Sequence, residues 1–78
     1  MNYNIEKVDE IVLALLYLTS FREGDIQRAW KGYDWDALSR LHEQGLISDP
    51  KSQAKSVVFT DDGFKRAKDL FQRYCGLE

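Results

Sequence analysis

Asp34 with Asp36, Asp61 with Asp62, the pair His42-Glu43 and the lone Cys75 are the residues whose types could do chemistry. Two neighbouring carboxylates could divide the work of a general acid and a general base. Both acidic pairs, however, stand where helical patterns begin, and free N–H groups and the helix dipole favour oxygen caps and anions there. Asp34 therefore reads as an N-cap, and Asp36, Asp61 and Asp62 as first-turn charges. His42-Glu43 opens like the helix motif of zinc proteases, but Leu46 stands where the second histidine belongs. One His and one Cys cannot supply an intrachain set of His and Cys ligands for four-coordinate zinc. His42 reads as a boundary residue beside Trp35. Cys75 reads as a buried or terminal structural thiol in a last helical turn. Every glycine already marks an element boundary, so no phosphate-cradling loop remains. The chain is expected to be no enzyme and to carry no metal, cofactor or small-molecule ligand.

The aromatic stretch Trp30, Tyr33 and Trp35 could stack bases. Trp30 follows Ile26 at i+4, though, and on a short helix that spacing turns the indole inward, so the stretch reads first as core.

These residues need elements to hold them, and 78 residues leave room for one domain, taken as residues 1–76. Leu77-Glu78 resembles the remnant of a purification-tag junction and is set aside. Hydrophobic residues at 44% and aromatics at 13% exclude a disordered tail. Eleven Lys and Arg against thirteen Asp and Glu, net −2, exclude a strongly basic nucleic-acid binder. A single cysteine rules out an internal disulfide and suggests the cytoplasm. The longest apolar run, Ile11 to Leu18, is too short for a bilayer span, which takes roughly 18–20 residues. Acidic residues precede it where a secretory signal would be basic.

Glycines punctuate the rest. A helical pattern with Ile5, Val8, Ile11 or Val12, Leu15 or Leu16, and Leu18 precedes Gly24. Asp25 is positioned to cap a short second helix over Ile26–Lys31, ended by Gly32. Asp34 caps a third, running to about Gln44, with Trp35, Leu38, Leu41 and partly His42 on one side. Leu46–Ser48 and Ser56–Thr60 read as a β-hairpin with a long polar tip, and Thr60 caps a last helix. Phe64, Ala67, Leu70, Phe71 and Tyr74 form the apolar stripe of that helix, and Gly76 stops it. The expected core joins Leu15, Leu38, Leu41, Ile47, Val58, Phe64 and Phe71.

This is a mostly helical α+β chain of order α-α-α-β-β-α, the order of a winged helix-turn-helix, with Lys51–Lys55 as the wing. Leu38 through Ile47, closing on Gly45-Leu46-Ile47, and Val57-Val58-Phe59-Thr60-Asp61-Asp62-Gly63 resemble bacterial winged-helix regulators of the MarR and PadR type. Val8-Asp9-Glu10, Leu13 through Leu18 and Arg28-Ala29-Trp30-Lys31-Gly32 are similar to a family of small bacterial proteins of unknown function. That second resemblance brings no activity with it.

The first resemblance implies a dimeric regulator that binds double-stranded DNA. Ser39, Arg40 and Gln44 would then face base edges, Arg28, Lys31, Lys51 and Lys55 phosphates, and Gln53 the minor groove. A homodimer would form through Ile11, Val12, Leu15, Tyr17 and Leu18, with help from the last helix. The outward face of the third helix carries Asp36 and Glu43 beside Arg40, where such regulators present basic or amide side chains. Charge also divides unevenly: residues 1–49 hold five Lys and Arg against nine Asp and Glu, residues 50–78 six against four. The alternative is therefore a protein-interaction module whose acidic first and third helices meet a partner.

Overall fold

Three helices form where capping side chains start them. Asn4 Oδ1 accepts from Lys7 N–H at 3.0 Å, Asp34 Oδ2 from Ala37 N–H at 3.1 Å, and Thr60 Oγ1 from Gly63 N–H at 2.9 Å. The computed structural model describes residues 1–77; Glu78, half of the expected junction remnant, lies outside the described residues. The elements are α1 (Ile5–Leu18), β1 (Ser20–Glu23), β2 (Ile26–Trp30), α2 (Trp35–Glu43), β3 (Ser56–Val58) and α3 (Asp61–Cys75). The chain is a small α+β fold with three helices and one antiparallel sheet in the order β1-β2-β3.

The order α-α-α-β-β-α is not what forms. The segment expected as a second helix, Ile26–Lys31, is strand β2, paired with β1 from Ser20↔Ala29 to Glu23↔Ile26. The cause is the two-residue turn Gly24-Asp25, in which Gly24 takes φ +61°, at the position a type II′ hairpin reserves for glycine. Ile26, Ala29 and Trp30 mimic helical spacing, but the turn fixes a hairpin, and no helix forms between α1 and α2.

The expected hairpin is also redrawn. Leu46–Ser48 contributes one bridge, Ile47↔Phe59, with Ser48 N–H donating to Val58 O at 2.8 Å, Thr60 N–H to Leu46 O at 3.1 Å and Val58 N–H to Ser48 Oγ at 2.8 Å. The full partner of β3 is β2, through Arg28↔Val58, Ala29↔Val57 and Trp30↔Ser56.

At the end of α2, Gly45 takes φ +76°, its N–H reaching His42 O at 2.9 Å while Leu46 N–H reaches Leu41 O at 3.0 Å. That paired arrangement closes the helix and turns the chain into the bridge at Ile47. A second glycine answers to space rather than to φ. A Cβ on Gly63 would lie 1.8 Å from Leu46 O, so the first turn of α3 sits directly on that backbone.

Leu13, Leu16, Leu38, Leu41, Ile47 and Val57 are the largest wholly buried apolar side chains apart from Pro50. Of the expected core, Leu38, Leu41 and Ile47 are buried, while Phe64 and Phe71 pack half-buried against it. Leu15 and Val58 are half-buried, and Val57 takes the inward place on β3. Tyr17 stacks on Phe64 and Phe71 at 5.5 Å each, joining α1 to α3. Tyr74 OH donates to Glu10 Oε1 at 2.7 Å and accepts from Lys7 Nζ at 3.0 Å across the same seam.

Candidate functional site

Pairing in the sheet decides which side chains leave the core. Ala29 and Val57 face each other and are fully buried, so the alternate row of Phe21, Ile26, Arg28, Trp30 and Val58 turns to the other face. The molecule measures 34 × 33 × 19 Å, and along that row Ile26 and Trp30 are exposed while Phe21, Arg28 and Val58 are half-buried. Trp30 stacks on Phe21 with ring centroids 4.8 Å apart, yet 56% of it remains exposed. Trp35, at the start of α2, is 55% exposed. The inward reading of both indoles is thereby overturned: Trp30 lies on a strand, and Trp35 points away from the buried Ala37-Leu38-Leu41 side of α2.

Cations gather at the Trp30 end of the sheet. Lys31 Nζ donates to Pro50 O at 2.8 Å and Ser52 O at 2.6 Å, and lies 5.9 Å from the Trp35 ring centroid. Lys31 N–H also donates to Lys55 O at 3.2 Å. The loop of residues 49–55 is thus moored to Lys31, with Lys51, Gln53 and Lys55 exposed on it. Arg28 Nε donates to Ser56 Oγ at 2.8 Å on the outer face, with Glu23 at a long 3.9 Å. Neutral acceptors position Lys31 and Arg28 without cancelling their charge.

The residues expected to read bases lie elsewhere. Arg40 donates from Nε to Asp9 Oδ2 at 2.7 Å and from Nη2 to Asp9 Oδ1 at 2.8 Å. The Asp9 side chain is 8% exposed and that of Arg40 31%, so this bidentate pair belongs to the α1–α2 seam. Asp9, through those hydrogen bonds first, holds the guanidinium charged even beyond its usual range. Gln44 borders a cleft of about 300 Å³ with Glu6, Asp9, Glu10 and Arg66 on its rim and leucines below. The structure therefore splits the expected nucleic-acid residues. Lys31 is bonded to the 49–55 loop that carries Lys51, Gln53 and Lys55, and Arg28 lies on the outer face of β2, whereas Arg40 and Gln44 sit among carboxylates and Ser39 stays on α2.

The expected dimer residues divide too. Val12 is buried and Tyr17 is engaged by α3, which removes both from any interface. Ile11 at 43% and Leu18 at 59% are exposed, with Leu15 half-buried between them.

Among the described residues no cluster of three or more His, Cys, Asp or Glu could hold a metal ion. No described helix is long and apolar enough to cross a membrane. His42 is exposed with Nδ1 3.0 Å from Ile47 O, and Cys75 is exposed at the end of α3. Asp34 and Asp61–Asp62 stand at helix starts, as the capping reading requires.

The chain belongs to the family described as "Domain of unknown function (DUF6429)", which matches residues 4–77. It is similar to "Uncharacterized protein y4hR" of Sinorhizobium fredii (strain NBRC 101917 / NGR234), with 49% identity over 73 residues covering 94% of this chain and 95% of that protein. No solved structure matches it significantly.

Proposed function

We propose that this member of the family is a small nucleic-acid-binding module that makes contact through its sheet and the 49–55 loop, not through α2. One observation carries the reading: Lys31 ties the loop that bears the exposed Lys51 and Lys55 to the end of β2, although the chain as a whole is acidic. Residues 20–31 and 47–58 hold five Lys and Arg against three Asp and Glu, so these segments are net positive while the chain carries −2. Duplex reading by α2, which the winged-helix resemblance implies, would need Arg40 to leave Asp9 buried and alone, at a cost of several kcal/mol.

Fluorescence anisotropy with labelled oligonucleotides, single- and double-stranded, tests the proposal. About four phosphate contacts give a log–log salt slope near −3, so affinity falls roughly sixtyfold between about 50 and 200 mM salt. Lys51→Glu with Lys55→Glu removes binding. Absence of binding to any oligonucleotide at low salt contradicts the proposal and leaves the protein-interaction module as the better account.

A second reading concerns assembly. Ile11, Leu15 and Leu18 recur at i, i+4 and i+7 on the open side of α1, a stripe suited to a second helix. A homodimer through that stripe would place two sheet-and-loop surfaces on one particle.

A further inference from the structure

We propose that Lys31 is the positioning residue of the sheet-and-loop surface: it braces the loop that carries Lys51 and Lys55 and does not itself meet the ligand. This rests on the nucleic-acid reading and specifies it. A lysine at the end of a strand beside a basic loop reads as one more phosphate contact, yet its donors are largely spent inside the protein. An ammonium has three N–H donors. That of Lys31 gives to Pro50 O at 2.8 Å and to Ser52 O at 2.6 Å, and the Trp35 ring flanks it at 5.9 Å.

Lys31 holds the loop at both ends. Its ammonium takes the entry, at Pro50 and Ser52, and its backbone N–H takes the exit, at Lys55 O, 3.2 Å away. The entry is itself a fixed turn. Lys51 N–H donates to Asp49 Oδ1 at 2.9 Å, Ser52 N–H donates to Asp49 O at 3.3 Å, and Pro50 is wholly buried. Lys51 and Lys55, by contrast, are exposed and form no ion pair among the described residues. One cation is thus consumed in shaping the loop, and two are left free on it. Without the Lys31 ammonium both carbonyls lose that donor, and a ligand has to order the loop as it binds, which weakens affinity. A lost phosphate contact acts differently, because it also flattens the salt dependence.

The test compares Lys31→Met, Lys31→Arg and Lys51→Met in the full-length protein. Backbone amide relaxation by NMR reads loop order, and fluorescence anisotropy with labelled oligo(dT) and a labelled duplex reads affinity over a range of salt. In the unmodified chain, order parameters of residues 51–55 should match those of α1 and α3, about 0.85. Lys31→Met should drop the loop below about 0.6 while both helices keep their values. Its affinity should fall about tenfold with the salt slope unchanged. Lys51→Met should leave the loop ordered and flatten the slope by about 1. Lys31→Arg still offers a charged donor to the two carbonyls and should stay closer to the unmodified chain in both readouts. The inference is overturned if Lys31→Met keeps an ordered loop, if it loosens the loop without changing affinity, or if it flattens the slope as Lys51→Met does. In each of those cases the nucleic-acid reading stands. If neither probe binds the unmodified chain, that reading fails and the binding role of Lys31 fails with it; loop order alone then decides whether Lys31 is a brace.

Discussion

Asp9 and Arg40, 31 positions apart, clasp each other through two hydrogen bonds of 2.7 and 2.8 Å where α1 crosses α2. The pair converts what would be a groove-reading cation into a structural clamp. Arg40→Ala leaves the Asp9 carboxylate buried without a partner and should lower stability by about 3 kcal/mol, the low end for such pairs because Arg40 keeps some solvent. Asp9→Leu combined with Arg40→Met should recover most of that loss in urea unfolding. A double variant as unstable as Arg40→Ala would show that the seam needs the charges themselves.

Gly63 is required by contact. Its missing Cβ is what lets α3 begin on the Leu46 carbonyl, and Gly63→Ala forces those backbones apart. The expected loss is about 3 kcal/mol. Gly32→Ala, with nothing within 4 Å of the added carbon, serves as the control and should change little. Thermal unfolding of the two variants side by side checks the contrast.

Gly24 is required by conformation instead. At φ +61° an alanine would pay about 1–2 kcal/mol for the left-handed backbone. Gly24→Ala should therefore destabilise the β1–β2 hairpin and disturb amide signals of β1 and β2 before those of α3. Uniform loss across all elements would mean that the hairpin is not a separable unit.

The proposed assembly through α1 rests on the stripe of Ile11, Leu15 and Leu18. Sedimentation at micromolar concentration should give a dimer, and Ile11→Glu with Leu18→Glu should give a monomer that keeps its fold. A monomer from the unmodified chain removes the stripe as an interface.

Caps and stops made the helices legible from residues alone. Asn4 was the exception, but Asp34, Thr60, Gly45 and Gly76 mark the ends of α2 and α3 as expected. The second element reads as a helix because Ile26, Ala29 and Trp30 satisfy helical spacing, although the Gly24-Asp25 pair that precedes them is a hairpin signal. That one substitution of strand for helix turned Trp30 outward, and it sets Val57 rather than Val58 against Ala29. The cations of the candidate site were legible as residues but not as one surface. Lys31 joins the loop of Lys51 and Lys55 only because β2 pairs with β3, a contact between distant segments. The engagement of Arg40 was equally hidden, since nothing local to α2 points to Asp9.

The central claim is that the sheet and loop, and not α2, hold nucleic acid. The most direct measurement is oligonucleotide affinity at about 50 mM salt for two charge-reversed proteins, Lys51→Glu with Lys55→Glu on the loop and Ser39→Glu with Gln44→Glu on α2. The account predicts that the loop variant loses binding while the α2 variant keeps the affinity of the unmodified chain. Loss confined to the α2 variant would contradict it and return the recognition surface to that helix.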